Sequence, residues 1–112
     1  MLLVPQSSAE FEEMLSEHEY AIQNIYLYCT AQWCAPCRAI KPHFINICEA
    51  SDDIIGIQVD LDLCPAVGES YNVSSMPTFI RLSDDQRLVG ASVEKLKMFM
   101  EVWCNCSLNI YY

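Results

Sequence analysis

The chain has 112 residues, 53% of them apolar and 19% charged, a balance that fits one globular domain and not a disordered segment. Fifteen acidic side chains against six basic ones leave a net charge of −9, which repels phosphate backbones and anionic lipid and so disfavours nucleic acid and membrane surfaces as partners. No apolar run approaches the roughly 20 residues that span a bilayer. Met1 to Pro5 is too short and lacks the basic start of an export signal, so the cytoplasm is the expected compartment.

Strands and helices alternate along the chain without repeats or low-complexity tracts, the pattern of an α/β fold. Leu2 to Val4 reads as a short strand. Ser7, with Glu10 three residues later, matches a capping box opening a helix over Glu10 to Glu17, on which Phe11, Met14 and Leu15 share a face. Ile22 to Thr30 is apolar without polar alternation, the composition of a central strand covered on both faces. A helix follows from Cys34 to about Ala50, with Pro36 tolerated in its first turn and Pro42 kinking it. Ile54 to Asp60 is the next strand, Cys64 to Tyr71 a short helix, and Thr78 to Leu82 a further strand. Arg87 to Val89 returns antiparallel after the polar turn at Ser83 to Gln86, and a last helix runs from about Val93 to Trp103.

Seven cysteines (29, 34, 37, 48, 64, 104 and 106) are an odd number in a chain with no visible export signal, so most are expected as thiols. Cys29 and Cys48 lie in apolar surroundings and read as small core residues. The pair in Trp33-Cys34-Ala35-Pro36-Cys37 is different, because it follows a strand and opens a helix. A zinc knuckle turns tightly after its second cysteine and needs another thiolate pair, whereas Arg38-Ala39-Ile40 continues a helix and Cys104-Asn105-Cys106 has poor ligand spacing. No metal is expected. Backbone N–H groups at a helix start favour a thiolate, which marks Cys34 as the nucleophile. Cys37, one turn further on, is placed to attack a mixed disulfide on Cys34.

At these residues the sequence resembles the thioredoxin family. The resemblance extends from the first strand to about Cys104 and includes Trp33 to Cys37, Ile40-Lys41-Pro42, Gln58 to Asp62, and Val73-Ser74-Ser75-Met76-Pro77-Thr78-Phe79. It implies a central mixed sheet of about five strands flanked by about four helices, with a domain over 1–104 and a C-terminal tail over 105–112. It also implies a cis proline at Pro77 lying against the cysteines, with Met76 bonding an extended substrate through its backbone. Cys34 and Cys37 would be the catalytic pair, with Trp33, Ala35 and Pro36 on one side of the substrate surface and Ser75, Met76, Pro77 and Gly90 on the other. The implied activity is reduction of protein disulfides by a monomer with no cofactor beyond its redox-active disulfide, recharged by a thioredoxin reductase.

Three departures qualify that expectation. Tyr28 stands where the family usually buries an aspartate for proton transfer, and Gln58 replaces its frequent lysine companion; a phenol with a pKa near 10 is a poor base at neutral pH. Ala35 replaces the usual glycine, and the last hairpin is shortened before Val89-Gly90-Ala91. Cys64, Cys104 and Cys106 are extra thiols that receive no role. The alternative function is therefore a thioredoxin-like binding or regulatory module with weak turnover.

Overall fold

The computed structural model describes residues 1–100. The strands are β1 (Leu2–Leu3), β2 (Ile25–Thr30), β3 (Ile55–Asp60), β4 (Thr78–Arg81) and β5 (Gln86–Val89). The helices are α1 (Ser8–Glu17), α2 (Ala35–Ala50), α3 (Pro65–Ser70) and α4, which is helical over 93–100. The strands form one mixed sheet in the order β1-β3-β2-β4-β5. β3 runs parallel to both β1 and β2, while β4 pairs antiparallel with β2 and with β5.

All six residues of β2 are buried, and the five from Ile25 to Cys29 divide between two cores. Tyr26 and Tyr28 face Ile40, Phe44, Phe79 and Leu96, whereas Ile25, Leu27 and Cys29 face Phe11, Ile57, Val67 and Ile80. Successive side chains point to opposite faces, so a strand covered on both sides shows no polar alternation, the feature its sequence carries. Gly56 on β3 admits α2 to the sheet: a Cβ there would meet the Phe44 ring at 2.8 Å and also run into the Cys48 sulfur.

Two expectations are corrected. The central strand begins at Ile25 and not Ile22; Glu19–Asn24 forms a 3₁₀ segment in which Ile22 is exposed. Pairing supplies the reason, since β3 begins at Ile55 opposite Ile25 and offers the preceding residues no partner. The capping box is only half formed. Ser7 Oγ accepts from the Glu10 N–H at 3.1 Å, but Glu10 Oε1 accepts from the N–H of Gln6, one residue before the cap. The last turn expected to Trp103, the domain end at 104, the tail over 105–112, and Cys104 and Cys106 lie outside the described residues.

Cys29, Cys48 and Cys64 are buried free thiols. Burial pushes Cys29 and Cys48 up to about 12 from 9.0; Cys64 also rises, through burial and then the nearby Asp60 and Glu10 carboxylates. All three remain protonated near neutral pH. The unfolded chain ionises above about pH 9 while the folded thiols stay neutral, so stability should be level below that pH and fall between about 9 and 12. The expected slope is about 1.4 kcal/mol per pH unit for each of Cys29 and Cys48. Urea melts of the oxidised protein from pH 8 to 11 measure it, and Cys48→Ala should flatten the curve; an equally steep fall in that variant would contradict the assignment.

Candidate redox site

The site forms where β2 ends and α2 begins. Cys34 is the N-cap of α2, with its sulfur accepting from the Cys37 N–H at 3.3 Å in the place usually taken by a serine or aspartate oxygen. Pro36 sits in the first turn, where a missing N–H removes no helical bond. Cys34 and Cys37 are joined as a disulfide with their Cα atoms 5.3 Å apart. The helix start directs N–H groups and its positive dipole end at Cys34, an arrangement that stabilises a thiolate when the pair is reduced. Cys34 is 6% exposed and Cys37 fully buried, so an approaching disulfide meets Cys34 first.

The second wall comes from the loop before β4. The Met76–Pro77 peptide is cis, and the Met76 carbonyl oxygen lies 3.8 Å from Cys34 Sγ. Thr78 Oγ1 donates to the Ser75 carbonyl at 2.6 Å, fixing the turn that presents Met76. Gly90 donates its N–H to the Pro77 carbonyl at 3.0 Å and has φ of 109°, a conformation side chains disfavour. Met76, Pro77 and Gly90 thus share one corner beside Cys34, and Val89 next to them is exposed. On the other side Ala35 and Pro36 are exposed, and Trp33 is 68% exposed.

Asp62 was not singled out from the sequence as a site residue. β3 ends at Asp60, and Asp62 lies in the following turn, where its Oδ2 accepts the Trp33 indole N–H at 3.1 Å and orients that ring. Nothing in the spacing of 29 residues signals this contact, which arises from the parallel pairing of β2 with β3.

Tyr28 lies beneath the pair and is fully buried. Its hydroxyl donates to the Cys37 carbonyl at 2.6 Å, and its ring stacks on Phe79 at 5.1 Å and leans on Phe44 at 5.0 Å. Burial raises the phenol above the ordinary tyrosine range, with a hydrogen bond from Thr30 pulling the other way. Across the sheet, Gln58 is paired with Tyr28 in register, and its buried Oε1 has no hydrogen-bond partner among the described residues. Both border a cleft of about 280 Å³ whose rim carries Arg38 and Lys41. A neutral phenol and an amide therefore occupy the floor where the resemblance implied an acid and a lysine.

Among the described residues, no cluster of three or more His, Cys, Asp or Glu side chains is arranged to hold a metal ion. No helix among them is long and apolar enough to cross a membrane.

The Thioredoxin family profile matches residues 3–102. Thioredoxin-2 of Pyricularia oryzae is 34% identical over 94 residues, 81% of this chain and 53% of that protein. Thioredoxin 1 of Plasmodium falciparum is 33% identical over 104 residues, 90% of this chain and 96% of that protein. The chain thus spans about half the length of the first relative and nearly all of the second. The crystal structure of reduced Schistosoma mansoni thioredoxin superposes with a TM-score of 0.75 at 30% identity, covering 89% of this chain and 95% of that one.

Proposed function

Because the chain belongs to the thioredoxin family, we propose that it acts as a protein dithiol–disulfide oxidoreductase, reducing protein disulfides through Cys34 and Cys37. The observation that carries this reading is the disulfide at the N-terminus of α2, with Cys34 at the surface edge and facing the Met76 carbonyl across the cis proline.

In this reading the Cys34 thiolate attacks one sulfur of a substrate disulfide and the other leaves as a thiol. Cys37 then attacks Cys34, forming the Cys34–Cys37 bond and expelling the second substrate thiol. Two electrons pass from the pair to the substrate. Trp33, Ala35, Pro36, Ser75, Met76, Pro77 and Gly90 form the receiving surface, and Met76 offers backbone groups to an extended segment. No cofactor beyond the redox disulfide takes part. A thioredoxin reductase regenerates the dithiol, and the protein works as a monomer in the cytoplasm, a reducing compartment that suits its three buried free thiols.

Insulin reduction with dithiothreitol tests the activity. The wild type should precipitate insulin chains well ahead of dithiothreitol alone, and Cys34→Ser should match the background. A wild type at background would instead favour the binding module.

A further inference from the structure

We propose that Tyr28 is a positioning residue for the redox pair: the hydrogen bond from its hydroxyl to the Cys37 carbonyl holds the first turn of α2 in the orientation from which Cys37 attacks a mixed disulfide on Cys34. The proposal rests on the reading of Cys34 and Cys37 given above.

The hydroxyl is a fixed point. Its strand is paired on both sides, opposite Gln58 of β3 and Phe79 of β4, and its ring is packed against Phe44 and Phe79. A donor so held can constrain whatever it bonds, and its partner is the backbone of the buried cysteine at 2.6 Å. Residue 37 is consequently held through both of its peptide groups. Its N–H points at the Cys34 sulfur, and its C=O accepts from Tyr28.

The helix needs a tie at this place. Pro42 lies inside α2 and has no N–H to return to the carbonyl of Arg38, so the helix lacks a bond one residue beyond Cys37. The Tyr28 hydroxyl joins helix to sheet beside that gap. It also explains how a chain without a carboxylate at this position uses the space: the phenol donates toward the dithiol's backbone instead of accepting a proton from its sulfur. Burial keeps the phenol protonated, so the donor persists across neutral pH. The proton of Cys37 passes to water or to the departing substrate thiolate. The Cys34–Cys37 bond forms as the Cys34–substrate bond breaks, and no further oxidant is needed.

Tyr28→Phe removes the hydroxyl and leaves the ring. In a background carrying Cys104→Ser and Cys106→Ser, reduced protein mixed with dithionitrobenzoate releases two thionitrobenzoates in sequence, the first as Cys34 attacks and the second as Cys37 closes the disulfide. In the variant the first phase should be unchanged and the second slowed about fivefold, the worth of one neutral hydrogen bond, by the same factor from pH 6 to 9. An unchanged second phase, an equal slowing of both phases, or a factor that varies with pH would each overturn the positioning role. The underlying reading fails separately, if the same background with Tyr28 intact releases only one thionitrobenzoate.

Discussion

A Cys37→Ser protein should leave its substrate covalently attached, and Cys34→Ser should retain none. The asymmetry follows from where α2 begins: Cys34 is the cap residue at the surface edge, whereas Cys37 is fully buried one turn inside. A substrate disulfide can be attacked by the first sulfur and not directly by the second. Once the mixed disulfide has formed, Cys37 attacks intramolecularly at a high effective concentration, so removing it should lengthen the mixed disulfide's lifetime by about a thousandfold or more. None of Cys29, Cys48 and Cys64 can substitute, since all are buried with raised pKa values. Non-reducing gels after exposure to a disulfide-containing protein read the adduct directly. Equal trapping by both variants would contradict the assigned order.

Tyr28→Asp should cost far more stability than it returns in rate. The family resemblance implies that restoring the usual carboxylate speeds turnover by about 10-fold near neutral pH, at a cost of roughly 1–3 kcal/mol for the buried charge. The structure enlarges the cost. Tyr28 is fully buried and packed between Phe44 and Phe79, so the substitution also opens a cavity, a change that by itself costs about 3–5 kcal/mol for a large aromatic residue. The new carboxylate would face Gln58, whose buried Oε1 already lacks a donor among the described residues. A total of about 5 kcal/mol would consume much of the stability of a domain this size and lower Tm by about 20 °C or more.

On the rate side, the tie to Cys37 is lost, so a gain of about 10-fold from the base is opposed by a loss of about fivefold from positioning. The net change should be about twofold. Desolvation raises the pKa of the new carboxyl in the folded state, so the stability deficit should shrink toward acid pH, where it is neutral in both states, and grow as pH rises through that pKa. Urea melts at pH 5 and 8, with single-turnover kinetics on the folded fraction, measure both quantities. A folded variant as stable as wild type would refute the packing argument.

Much of the fold was legible because it depends on local chemistry. Ser7 announced the start of α1, the unbroken apolar run announced a strand covered on both faces, and the cysteine spacing directly after a strand announced a helix that begins on a thiol. The cis peptide at Pro77 followed from the family resemblance and is present. What could not be read depends on contacts between distant segments. The start of β2 is fixed by the first residue of β3 that can pair with it, 30 positions later. The orientation of Trp33 is fixed by a carboxylate in the turn after β3. Tyr28 was legible as a missing base through the family resemblance, but its use as a donor depends on a distance across the strand–helix interface that no sequence pattern encodes.

If Cys34 and Cys37 carry the reaction, electrons must balance between this pair and the substrate. Reduced protein incubated with insulin in the absence of dithiothreitol, then blocked with an alkylating reagent and mapped by mass spectrometry, should gain one intramolecular disulfide for each insulin disulfide lost. That disulfide should map to the peptide holding Cys34 and Cys37, with Cys29, Cys48 and Cys64 recovered as alkylated thiols after unfolding. Insulin reduced while Cys34 and Cys37 remain thiols, or a new disulfide located at other cysteines, would contradict the claim that this pair carries the reaction.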